Sequence, residues 1–266
     1  MQEMIKVVDL TKVFGTHKAV DGISFAVEPG EIFGLVGPNG AGKTTTLRML
    51  TTLLTPTSGL GLIGGYDIVR QASEVRRLIG YVPQMLSVDG SLTGYENLLL
   101  FARLYDVPSG MRDRRIREVL SLLHLEEAAH SLVKTYSGGM IRKLEIGQAV
   151  LHFPKVLFLD EPTVGLDPVA RRNVWDHIKS LRDKYNTTIL VTTHYMDEAE
   201  NMCNRLAIMH MGRIAAMGTP EELKRETNKD GATLEDVFAY FTGATIETGG
   251  TLRETARIRR TARRLG

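Results

Sequence analysis

Residues 37–44 read GPNGAGKT and fit the pattern G-x-x-x-x-G-K-[ST]. Glycines in such a loop let the backbone curl until successive N–H groups point at phosphate oxygens. Pro38, Asn39, Gly40, Ala41 and Gly42 would form that cradle. The Lys43 ammonium would reach the β- and γ-phosphates, and the Thr44 hydroxyl would ligate Mg²⁺. Thr45 carries the loop into the next element. The competing reading is a Gly-rich turn that merely caps a helix. The apolar stretch EIFGLVG before the motif and the helical pattern behind it weigh against that, because strand, loop and helix are the setting a phosphate loop needs.

A second constellation is VLFLDEPT, an apolar strand ending in Asp160 and Glu161. Asp160 could hold the Mg²⁺ through water, and Glu161 could orient or deprotonate an attacking water. Two acids at a strand end are also an ordinary solvated pair, and the phosphate loop decides between the readings, since it needs an acid on a neighbouring strand. His194 ends another buried-type strand, TTILVTTH, where parallel strands deliver residues to a ligand. Gln84 follows IGYVP and could complete a metal shell; its own surroundings leave that open. Further along, YSGGM sets a hydroxyl, Ser137, and two bare backbone N–H groups, Gly138 and Gly139, at the head of a helical run, which is a second anion-binding arrangement.

The elements that must position these residues follow from periodicity. The first forty residues read as strands with turns at VDG and EPGE, and a helix is expected over 43–54. Short strands return in GLGLIGGYDI, and EVRRLIGYVPQ runs from a helix turn into a strand. Residues 93–130 are helical in pattern, broken at 108–110. Strands then alternate with helices, which favours a mostly parallel sheet. The fold class is α/β: a P-loop NTPase core, an N-terminal antiparallel β subdomain, and an inserted α-helical subdomain over about residues 90–150.

The chain has 266 residues, 43% apolar and 24% charged, as a globular protein with a core requires. Its apolar runs fall far short of the roughly 20 residues of a membrane span. MQEMIKVVDL lacks the basic and apolar regions of a signal peptide, and a single Cys203 fits a reducing compartment. The net charge of +2 is uneven: residues 251–266 hold six Arg and one Glu. The remainder is mildly acidic, which argues against a nucleic-acid footprint. The Arg-rich segment, 243–266, reads either as a solvated end or as a basic stretch touching anionic lipid.

In order and spacing, GPNGAGKTT, YVPQ, YSGGM, VLFLDEPT, GLDP and TTH resemble the ATP-binding cassette ATPases, the nucleotide-binding subunits of transporters. The resemblance covers residues 4 to about 242, so 1–242 is expected to be one nucleotide-binding domain. It implies ATP and Mg²⁺ as cofactors, with Glu161, His194 and Lys43 catalytic and Thr44, Gln84 and Asp160 at the metal. Phe14 would stack on adenine, Val20 would join it in the nucleotide site, Gln84 would sense Mg²⁺ and touch a membrane subunit, and Asp167 would link two ATP sites. Ser137, Gly138 and Gly139 would close over the ATP of a second copy, in a head-to-tail homodimer attached to a separate integral membrane permease at the cytoplasmic face of the cell membrane. Met140 replaces the family's commoner Gln, and Tyr136 its commoner Leu. YSGGM and TLEDVFAYFTG resemble one branch, two-component exporters that include the daunorubicin-resistance type. The alternative is a non-transport member acting on nucleic acid or ribosomes. The DNA-repair kind needs a long coiled coil that the interval between Gln84 and Ser137 cannot hold, and the ribosomal kind carries two cassettes.

Overall fold

The computed structural model describes residues 3–85 and 87–243, so the Arg-rich segment lies outside the described residues apart from Gly243. The chain divides into two compact units. Among the described residues the first contains 3–81, 155–161 and 186–243; the second contains 82–154 and 162–185.

The first unit opens with an antiparallel sheet of β1 (Ile5–Phe14), β2 (His17–Val27), β4 (Ser58–Ile63) and β5 (Tyr66–Asp67), in the order β2-β1-β4-β5. The stretch leading to the phosphate loop, β3 (Ile32–Val36), joins a different sheet. It is buried at every position and lies between β8 (Thr188–Thr193) and β9 (Arg205–His210), parallel to both. β7 (Val156–Asp160) extends that sheet parallel to β8, followed by β6 (Ile79–Val82). β10 (Arg213–Gly218) closes the other edge as a hairpin with β9. Runs such as VLFLD and TILVTT are continuous rather than alternating because both faces of a parallel sheet are covered. The unit's helices are α1 (Lys43–Leu50), α2 (Ala72–Leu78), α7 (Met196–Met202), α8 (Pro220–Glu226) and α9 (Leu234–Thr242). The sequence shows RLAIMHMGRIAAMG as one apolar run. It turns at Met211-Gly212, where φ is 47° and 79°, as a tight hairpin demands.

The second unit is helical: α3 (Gly94–Leu104), α4 (Ser109–Leu122), α5 (Gly138–Val150) and α6 (Pro168–Tyr185). α5 packs against the other three and is buried almost all round. α6 buries Val174, Trp175, Ile178 and Leu181 on one stripe. The helices expected over 43–54 and 93–130 stop earlier, at Leu50 and Leu122. In each case a residue other than glycine turns the chain through the left-handed region: Thr52 at φ 63° and His124 at φ 53°. Leu53 and Leu125 then donate to carbonyls five residues back, which satisfies the last turn.

Gly94 starts α3 beneath Tyr136. A Cβ there would lie 2.3 Å from the tyrosine oxygen, which itself donates to Ala128 O at 2.6 Å. Gly94→Ala is therefore expected to destabilise by about 1–3 kcal/mol through overpacking. Tyr136→Phe in the same chain should recover part of that loss. Thermal denaturation of the two single variants and the double variant measures the coupling, and strict additivity would refute it.

Candidate functional site

The first unit brings Lys43, Thr44, Asp160, Glu161 and His194 together. β3 delivers the glycine loop, whose residues Gly40 and Gly42 hold φ of 82° and 105°, outside the range of other residues. A Cβ on Gly42 would strike Ala19 O at 2.5 Å, so the loop must lie bare against β2. Gly212 N donates to Ala41 O at 3.0 Å and pins the loop from the hairpin side. No side chain caps α1, which leaves first-turn N–H groups for an external acceptor. Pro38 is half-buried, Asn39 and Gly40 are exposed, and Thr45 is half-buried on α1.

The Lys43 ammonium is held inside the loop by Gly37 O at 2.7 Å, Pro38 O at 3.1 Å and Glu161 Oε1 at 3.2 Å. Burial lowers its pKa, opposed by the charges of Glu161 and Asp160. Asp160 Oδ1 accepts from Thr44 Oγ1 at 3.0 Å and Thr192 Oγ1 at 2.7 Å. Burial raises its pKa, and the two hydroxyls oppose this. For Glu161 burial also pushes upward. The hydrogen bond from His194 and the Lys43 charge outweigh it, and the carboxyl sits below its ordinary range. His194 Nδ1 is 3.3 Å from Glu161 Oε2. Glu161 is therefore a buried, ionised carboxylate, the state a general base requires.

Glu161 also adopts a φ of 49°, unusual for a non-glycine residue. Its N–H donates to both Thr192 O, at 3.1 Å, and Thr192 Oγ1, at 3.0 Å. One threonine thus orients both acids. Sequence reasoning passed over Thr192; a hydroxyl residue two places before His194 in an apolar strand was the signal. Tyr81, the first residue of YVPQ, lies close to Asp160. Its phenol is pushed up to about 12, chiefly by burial and then by Asp160.

The oxygen pair Thr44 and Asp160 suits a hard cation such as Mg²⁺, which completes its shell with water and phosphate. No group of three or more His, Cys, Asp or Glu able to hold a metal occurs among the described residues, so a metal here would need those outside oxygens. Phe14 is half exposed at the end of β1, with the Lys12 ammonium 5.1 Å from its ring centre. Val20 is fully buried in the core cluster, and its Cγ2 lies 3.4 Å from a Cβ placed on Gly42. Its position is that of a wall behind the loop. Cys203 is buried, and its thiol is pushed up to about 12 by that burial.

The second unit carries the rest. Ser137 is exposed and caps α5, its Oγ accepting from Met140 N at 3.3 Å. Gly138 and Gly139 open the helix. A Cβ on Gly139 would press to 3.1 Å from Ala170 Cβ. Asp167 caps α6, accepting from Val169 N and Ala170 N at 3.0 Å each. Gln84 is exposed, and its carbonyl accepts from Arg142 Nη2 at 3.2 Å.

Residues 20–164 match the ABC transporter family. The chain is 43% identical over 84% of its length to the Nod factor export ATP-binding protein I of Cupriavidus metallidurans, spanning 73% of that protein. It is 45% identical over 81% of its length to the daunorubicin/doxorubicin resistance ATP-binding protein DrrA of Streptomyces peucetius, spanning 65% of it. A solved ATP-binding subunit of an ABC transporter superposes with a TM-score of 0.79 at 31% identity, covering 90% of this chain and 99% of that one. No helix among the described residues is long and apolar enough to cross a membrane. The nucleotide-binding chemistry of the loop, the acid pair at the strand end and these likenesses together make the chain a member of the ABC transporter family, as one of its ATP-binding, ATP-hydrolysing subunits.

Proposed function

We propose that the chain powers an exporter as a head-to-tail homodimer. Ser137 and the N–H groups of Gly138 and Gly139 in one copy close over the nucleotide held by the Lys43 loop of the other. The observation that supports this reading is that one chain holds two separate segments whose backbone N–H groups suit an anion. One is the glycine loop whose Lys43 is buried against its own acids, and the other is the exposed Ser137 with the glycine pair it caps, heading a separate helix. Two half-sites per copy make two complete sites in a C₂ pair. A nucleotide whose γ-phosphate binds the closed pair better than the open one drives closure, and hydrolysis removes that preference.

In this mechanism Lys43 moves from its carbonyl and Glu161 partners toward the phosphates. Glu161 takes the proton of the attacking water, and His194 keeps that carboxylate ionised and oriented. Thr44 and Asp160 would hold Mg²⁺, with Gln84 assigned to it by the resemblance alone, and the bound cation would supply charge neutralisation on the phosphates. Phe14 stacks on adenine, Val20 backs the loop, and Asp167 links the two ATP sites. The cargo path belongs to a separate integral membrane protein, to which this chain attaches at the cytoplasmic face through the stretch after Gln84, residues 85–99. Relatives named for Nod factor export and for daunorubicin resistance favour export.

Glu161→Gln is expected to keep ATP binding and lose hydrolysis by about a hundredfold or more, read by phosphate release. In the same variant Mg-ATP should double the solution mass, and adding Ser137→Arg should abolish the doubling. A monomer under both conditions, with ATP bound, would overturn the homodimer. Thr192→Val removes the hydroxyl that orients both acids at nearly constant volume. It should cut kcat about tenfold with nucleotide affinity unchanged; equal losses in both would assign Thr192 to binding instead.

A further inference from the structure

Although α5 is a buried helix, it carries Arg142, Glu145 and Gln148 at three-residue spacing on one stripe, 4, 2 and 2% exposed. All three reach residues of one stretch of chain, Pro83, Gln84, Ser87 and Asn97. Arg142 Nη1 donates to Pro83 O at 2.8 Å and Nη2 to Gln84 O at 3.2 Å. The same guanidinium pairs with Glu145 Oε2 at 3.0 Å. Glu145 Oε1 accepts from Ser87 N at 2.6 Å and Ser87 Oγ at 3.1 Å. Gln148 Nε2 donates to Asn97 Oδ1 at 3.3 Å. That oxygen also accepts from Asp89 N at 3.0 Å, while Asn97 Nδ2 returns a bond to Asp89 O at 2.9 Å.

A buried ion pair is a poor source of stability, because the desolvation of two charges offsets their attraction and apolar residues of similar size serve as well or better. Direction is what this pair adds. The guanidinium fork grips the successive carbonyls of Pro83 and Gln84 and the carboxylate grips the Ser87 amide, so the backbone at these three residues is held in register against the helix. The helix so gripped is the one that Ser137 caps.

We propose that Arg142, Glu145 and Gln148 are positioning residues that lock the Gln84 loop to the helix headed by Ser137, so that the two respond to nucleotide as one body. The proposal rests on the roles assigned above to Ser137 and Gln84. It gives the membrane-facing segment a direct mechanical tie to the phosphate-sensing serine within a single unit.

The test is hydrogen–deuterium exchange on the full chain in the Glu161→Gln background, following peptides that cover 83–89 and 137–141 across a Mg-ATP titration. Glu145→Gln strands the Arg142 charge and is exposed to simple misfolding. The informative variant is therefore Arg142→Met with Glu145→Leu, which removes both charges at similar volume and should keep its melting temperature. Without this substitution, both peptides are expected to gain protection at the same Mg-ATP concentration. In the double variant 83–89 should exchange about tenfold faster and stop responding, while 137–141 still responds. If the two peptides stay in step in the double variant, the lock is wrong and the site assignment stands. If the variant instead loses protection throughout the unit along with its melting temperature, the pair is merely structural and the proposal falls. If neither peptide responds in the Glu161→Gln chain while a fluorescent ATP analogue is bound, the roles of Ser137 and Gln84 fail, and the lock falls with them.

Discussion

The site depends on the cost of burying charge. Lys43, Asp160 and Glu161 are 4, 1 and 4% exposed at the end of an apolar sheet, and none would stay ionised there alone. Each is compensated by a group that another element supplies. The loop carbonyls and Glu161 hold Lys43, Thr44 and Thr192 hold Asp160, and His194 with Lys43 holds Glu161. The parallel order of β3, β8 and β7 makes this feasible, since it brings the ends of three strands and the start of α1 to one edge. The arrangement is a set of interlocked charges, in which each partner also sets the protonation state of its neighbour.

Much of this was legible in the sequence because phosphate chemistry leaves coarse marks. Glycines, lysine and threonine at fixed spacing, and acids after an apolar run, pointed to residues the fold does bring together. What was not legible is conformational. Nothing in DEP announces that Glu161 takes a left-handed φ, because the reason lies in Thr192, on another strand. The ends of α1 and α4 were overrun for a related cause. Their left-handed residues are Thr52 and His124, where glycine would have punctuated the sequence. The buried stripe on α5 was hidden inside a run that reads as amphipathic, although its polar side chains face protein.

The departures from the family pattern in YSGGM have a local account. Tyr136 is buried, and its hydroxyl reaches the Ala128 carbonyl while its ring end occupies the space that Gly94 leaves. A leucine could fill the cavity but not bond that carbonyl. Met140 uses its backbone N–H for the Ser137 cap, a duty indifferent to side chain. The serine cap and the two glycines therefore persist unchanged beneath an altered surround.

The placement of β3 has a consequence for how the protein is made. Its sheet neighbours, β8 and β9, begin at Thr188 and Arg205, while β3 itself ends at Val36. A chain growing on the ribosome thus presents the apolar strand IFGLV with both edges unpaired until Thr188 and the residues after it have been added. Gly212, which pins the phosphate loop through Ala41, arrives later still. Contacts so distant along the chain slow folding and leave open strand edges in the interval. The nucleotide site is thus completed only after the N-terminal antiparallel sheet and the helices of the second unit have been made.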